Sequence, residues 1–264
     1  MRLLKICIWL CAITLNINAQ PNKQNDKLVE FEYKLYNSNS IEDMNMILLE
    51  KYFFLKNTGS IQEAYTSINR INEQILDDST KFIYLYEYSI IAYLNNHFTE
   101  AELSLQKLFY FYKNDLRLNL LLPLAVLINN ENGKWADAKS YLKQYIVINN
   151  LSLNVDSLYK SIEMFKPKKT STAVKLSTLL PGTGQFYAGE KFHGALNAGL
   201  ILSFLSWGAY NVMNGFYATA VFSGFFVAYT FYQGGIAYSI SATDQYNEEK
   251  YIVFKTKVKN ILLP

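Results

Sequence analysis

The chain has 264 residues, of which 50% are hydrophobic and 18% charged, with a mean hydropathy of +0.00. A soluble domain carries about 25% charged residues, and the shortfall here is local, because 194–243 holds no Asp, Glu, Lys or Arg at all. Residues 20–165 carry 14 basic and 18 acidic side chains, whereas 166–264 carry 9 and 4. That acidic balance excludes the first part as a nucleic-acid binder, and the basic second part suits anionic lipid head groups.

Arg2 and Lys5 precede an apolar run from Ile6 to Leu15, and Ala19 offers a small residue before Gln20. This order is that of a secretory signal, expected over 1–19. Ile17 is large where a small side chain is favoured, so an uncleaved anchor is the alternative, although the run is short for a span of about 20 residues. Leu10 before Cys11 argues against a lipoprotein. Cys7 and Cys11 are the chain's 2 cysteines and both lie in this segment. A mature chain would then have no thiol, which excludes disulfides, thiolate metal sites and cysteine nucleophiles. His97 and His193 are the 2 histidines. No metal or cofactor is expected.

The middle of the chain repeats. Ile61-Gln62-Glu63-Ala64, Phe98-Thr99-Glu100-Ala101 and Trp135-Ala136-Asp137-Ala138 share a large apolar residue, a spacer, an acid and an alanine, and the alanines stand 37 residues apart both times. Ile68, Leu105 and Leu142 follow at +4, and Ile71, Leu108 and Tyr145 at +7, positions that share one helix face. Asn- and Gly-rich turns precede each motif, so each unit reads helix, turn, helix. The pattern resembles the tetratricopeptide-repeat family, best at Tyr88, Ser89, Ala92, Tyr93, Phe98, Ala101, Leu105 and Leu108. The resemblance assigns Ser89 and Ala101 to the small positions of the two helices. It departs from the family in its period and in lacking the closing proline. It implies a divergent tetratricopeptide-like array over 20–165 that binds a protein or peptide in a groove, with 24–36 and 153–165 as capping helices. Tyrosines and phenylalanines at 84–88 and 109–112 serve either the core or that groove. Pro123 is expected to kink a helix through the apolar run 118–128.

A basic linker, 166–172, contains Pro167 and leads into a membrane domain expected over 173–247. Its first apolar stretch is interrupted by Pro181, Gly182 and Gly184, which predicts an interfacial or re-entrant helix and then a tight turn. No Lys-Ser/Thr follows Gly184 and no strand precedes it, so the phosphate-loop reading fails. Two spans follow, near 194–212 and 216–238, joined by a turn at Asn214 and Gly215. Ala220, Gly224 and Ala228 form a row of small residues suited to helix packing in lipid, and Trp207, Tyr210, Tyr217 and Tyr238 suit an aromatic belt. Asn197 and Gln233 bond across the hairpin or line a polar cavity. The tail, 248–264, is basic, and its alternation near Lys255, Lys257 and Lys259 fits a short strand or a surface-adsorbed segment.

Leu180-Pro181-Gly182-Thr183-Gly184-Gln185-Phe186-Tyr187-Ala188-Gly189 resembles the signature of small bacterial two-transmembrane domains, carried by Pro181, Gly182, Gly184, Gln185, Tyr187 and Gly189. That resemblance implies a membrane module with no settled reaction. The fold class expected is all-α: a helical repeat array and then a transmembrane hairpin. Expected with it are an inner-membrane location, the repeats in the periplasm and the C-terminus on the same side; a third crossing by 172–187 would reverse the tail. The expected partners are a protein or peptide at the repeats, the bilayer, and a second copy through the hairpin, with no nucleic acid. The function expected is a membrane-anchored binding scaffold, not an enzyme, with a helper in envelope assembly or an embedded transport or enzyme component as alternatives. With two spans His193 and Asp244 fall at the same membrane face, so a dyad between them is geometrically possible.

Overall fold

The computed structural model describes residues 21–262, so the expected signal over 1–19 lies outside the described residues. Every regular element among them is helical. The chain divides into two compact units after Leu153.

The first unit contains α1 (Pro21–Tyr36), α2 (Ile41–Asn57), α3 (Ile61–Ile68), α4 (Asp78–Leu94), α5 (Phe98–Phe111), α6 (Leu122–Glu131) and α7 (Trp135–Ile148). The periodicity is physical as well as textual. Helices end at Asn57, Leu94 and Glu131, and the next begin at Ile61, Phe98 and Trp135, each series stepping by 37. Between them Gly59, Asn96 and Gly133 all take left-handed backbone, with φ of 79°, 63° and 71°. One turn geometry is thus used at each junction, and glycine or asparagine occupies it because other side chains are strained there. Asn95 Nδ2 donates to Ile61 O at 3.2 Å, and one repeat later Asn132 Nδ2 donates to Phe98 O at 3.3 Å. Each turn therefore ties one helix pair to the pair before it. The core runs through these pairs, with Tyr52, Leu55, Ile68, Leu85, Ile91, Leu108 and Ile128 all nearly inaccessible to solvent.

Pro123 starts a helix instead of kinking one. Residues Leu116–Leu121 form a 3-10 segment, and Pro123 sits in the first turn of α6, where its missing N–H costs nothing.

The second unit holds α8 (Val155–Glu163), α9 (Thr170–Leu179), α10 (Thr183–Ala188), α11 (Lys191–Met213) and α12 (Phe226–Leu262); one α turn at Tyr217–Thr219 and a π-helical stretch at Ala220–Phe225 lead into α12. The segment 153–165, expected to cap the repeats, falls mainly in this unit. Its aromatic rings explain this: Tyr159 lies 5.0 Å from Phe254 and Phe165 lies 5.5 Å from Tyr251, both partners on α12. The tail is corrected too. It is neither strand nor loose segment, because α12 continues to Leu262, and its apolar residues Phe254, Val258 and Leu262 recur every fourth position along one face.

Helices α11 and α12 stand where the spans were expected, but among the described residues no helix is long and apolar enough to cross a membrane. Lack of charge is not apolarity. The uncharged run includes Asn197, Ser203, Ser206, Asn211, Ser223 and Gln233 besides its glycines and tyrosines, and these dilute the hydrocarbon content of each helix. What the structure shows is a closely packed helical hairpin.

Candidate functional site

In the first unit Ala64, Ala101 and Ala138 are completely buried, in α3, α5 and α7, as is Ser89 in α4. Ser89 Oγ donates to Tyr86 O at 2.7 Å, which satisfies its hydroxyl within its own helix. Ile61, Phe98 and Trp135 open their helices half-buried, and the Phe98 ring lies 5.6 Å from that of Tyr93.

Between the pairs lie acid–tyrosine contacts that sequence reading missed. Tyr52 Oη donates to Glu87 Oε2 at 2.5 Å, and Lys56 Nζ donates to the same oxygen at 2.6 Å. Burial, and then the Glu87 carboxylate, push the Tyr52 hydroxyl far above its usual range. Tyr65 and Tyr88 each donate to Glu100 Oε2 at 2.6 Å. These two hydrogen bonds hold the Glu100 carboxyl below the usual carboxylate range, while burial and Glu100 raise Tyr88. The imidazole of His97 stacks on Tyr65 with ring centres 4.4 Å apart. Lys134 and Asn132 both pair with Glu102. The signal was available: Tyr52–Glu87 and Tyr65–Glu100 share a separation of 35 residues, close to the repeat step. These acids bridge neighbouring helix pairs. At the end of α5 and just beyond it, Tyr110, Phe111, Leu116 and Leu120 are exposed in sequence proximity.

In the second unit the Pro181–Gly189 motif forms a turn at Pro181–Gly182 and the short helix α10, joining α9 to α11. Gly182 has φ of 90°, and a Cβ there would overlap the Gly194 carbonyl; only glycine permits both the left-handed backbone and the approach. Gly184 N–H donates to Ser177 Oγ at 3.2 Å. Half-buried Pro181 precedes Gly182, and Gly189, with φ of 110°, closes α10. The Tyr187 hydroxyl accepts from the Lys169 N–H at 3.1 Å. Asn247 completes the clasp, accepting from Lys168 N–H at 2.8 Å and donating to Lys168 O at 2.9 Å. Gln185 is 1% exposed; its Nε2 donates to Gly235 O at 2.8 Å and its Oε1 has no partner.

The hairpin is packed inside out. Ala220, Gly224 and Ala228 are buried, and Gly224 stands against Gly208 and Phe204 of α11. A Cβ at Gly224 would come 2.8 Å from the Gly208 nitrogen, and one at Gly208 would come 2.7 Å from the Phe225 ring. Many of the large side chains point outward: Leu202, Trp207, Tyr210, Phe222, Phe226 and Tyr229 are all exposed. Asn197 lines a cleft instead of bonding across the hairpin, and Gln233 is exposed. His193 pairs with Glu190 at 2.9 Å, not with Asp244. Among the described residues no group of three or more His, Cys, Asp or Glu is placed to hold a metal. No protein-family model matches the chain, and no curated protein or solved structure matches it either.

Proposed function

We propose that the chain is a membrane-seated protein-binding scaffold of a bacterial cell envelope. Its divergent tetratricopeptide-like pairs recognise a protein or peptide partner on the periplasmic side, and its hairpin lies in the inner membrane. The observation that carries this reading is the inverted packing of α11 and α12: small residues inside, aromatic and aliphatic ones outside. Water would drive Phe222, 72% exposed, and Phe226, 63% exposed, into a core, whereas in lipid helices associate through small residues that let backbones approach. The reading rests on this outward surface of the packed pair, not on the hydropathy of any one helix. The basic excess of 166–264, 9 against 4, adds attraction to anionic head groups. On the repeat side, the apolar edge from Tyr110 to Leu120 offers the partner a contact surface, and the stapled tyrosine–acid pairs hold the array rigid for it. The test is extraction. Full-length protein should remain in the membrane pellet after high-salt and alkaline washing. Release of the intact chain by either wash would refute the seat in the bilayer.

A further inference from the structure

A cleft of about 470 Å³ opens on the side of the hairpin, bounded by Gln185 of α10, Asn197 of α11 and Gly235 of α12, with Leu196, Leu200 and Phe231 as apolar wall. Gln185 is the unusual member. Its orientation is fixed, because the Gly235 carbonyl can only accept and, of the two carboxamide atoms, only Nε2 can donate to it. Oε1 is therefore an acceptor in an apolar setting with no partner, a condition that costs free energy unless a donor is brought to it. Gly235 lacks a side chain because Asn197 occupies that space; a Cβ would overlap its carboxamide nitrogen. Gln185 and Asn197 thus both line a largely apolar cleft. His193 and Tyr238, with rings 5.2 Å apart, also line it.

We infer that this cleft binds a single-chain amphiphile through a hydroxyl donor, the hydroxyl meeting the Gln185 and Asn197 carboxamides and the hydrocarbon lying on Leu196, Leu200 and Phe231. The volume is within the range of small-molecule sites, about 300–1,000 Å³, and Leu196 and Phe231 in its wall are themselves exposed. The choice of a lipid-like ligand rests on the membrane reading above, but the donor requirement does not.

The test uses full-length detergent-solubilised protein and two probes of equal chain length, 1-oleoylglycerol, which carries hydroxyls, and methyl oleate, which carries no donor. The hydroxyl probe should bind one to one and about tenfold or more tightly than the ester. Gly234→Leu is the blocking variant. Gly234 lines the cleft, and a Cβ there meets nothing within 4 Å, so the fold should tolerate the side chain that fills the site. This variant should melt no lower than the wild type and lose 1-oleoylglycerol binding. Asn197→Ala should weaken the hydroxyl probe and leave the ester unchanged. Equal binding of both probes, no binding of either, or retained binding in a folded Gly234→Leu protein would each overturn the inference. Because binding is read in detergent and the seat in the bilayer is read by alkaline washing, failure of one is distinguishable from failure of the other.

Discussion

The inverted hairpin makes two glycines of neighbouring sequence respond in opposite ways to one added methyl group. At Gly224 a Cβ would stand 2.8 Å from the Gly208 nitrogen, with the Gly208 Cα closer still. Both obstacles are backbone, and neither can rotate away. Relief to an ordinary contact of 3.4–4 Å requires the helices to part by the difference, which undoes part of the packing along the row of Ala220, Gly224 and Ala228. Overpacking of this kind costs about 1–3 kcal/mol. At Gly234 nothing stands within 4 Å of the same atom, and an alanine in an open helical position gains about 0.5–1 kcal/mol over glycine. Gly224→Ala should therefore lower, and Gly234→Ala raise, the melting temperature of the solubilised full-length protein, followed by far-ultraviolet circular dichroism. At about 2–4 °C per kcal/mol for a protein of this size, the first shift is about 2–12 °C downward and the second about 1–4 °C upward. Equal shifts of the same sign would show that α11 and the π-helical stretch before α12 do not meet at Gly208 and Gly224.

Ala101→Leu should overpack the crossing of α4 and α5, since Ala101 has no solvent exposure. Loss of about 1–3 kcal/mol is expected in urea unfolding, and an unchanged midpoint would refute the repeat register. Glu100 carries a pH signature. Its folded carboxyl titrates below the ordinary glutamate range because Tyr65 and Tyr88 donate to it, so its contribution is present above that range and is lost as the pH falls through the lowered folded value. Glu100→Gln should be less stable near neutrality and flatter over the acid limb, read as melting temperature against pH; parallel wild-type and variant curves would contradict the assignment. Tyr84 gives the opposite limb. Burial, with Glu73 and Glu100 adding to it, lifts its hydroxyl from 10.0 to about 12, so stability should fall as the pH rises from 10 toward 12, and less so in Tyr84→Phe.

Legibility followed the chemistry of each part. The repeat step was readable because a close helix crossing admits only a small side chain, and Ala64, Ala101 and Ala138 mark it at a constant interval. The Tyr52–Glu87 and Tyr65–Glu100 staples were not readable directly, because their partners lie on different helices and only the repeat geometry brings them together. Pro123 misled because an apolar run does not announce where a helix starts, and Leu116–Leu121 turn more tightly before it. The uncharged stretch falls on α11 and the helical segments from Tyr217 onward, yet these helices fall short of a span because Asn, Ser, Gly and Tyr are uncharged without being apolar. The cleft was half visible: Asn197 stood out as polar among apolar residues, but Gln185 reads as part of a turn motif until folding brings it to Gly235.

The central claim is that the outer face of the hairpin touches lipid, and spin-label accessibility at Phe222 tests it most directly. In protein reconstituted into vesicles, with Cys7 and Cys11 replaced by serine, a nitroxide on Phe222→Cys should relax strongly with oxygen, which concentrates in hydrocarbon, and weakly with an aqueous nickel chelate. The same label on Thr66→Cys, an exposed site in α3, should show the reverse. A Phe222 label as accessible to the nickel chelate as the Thr66 label would place that aromatic face in water and contradict the account.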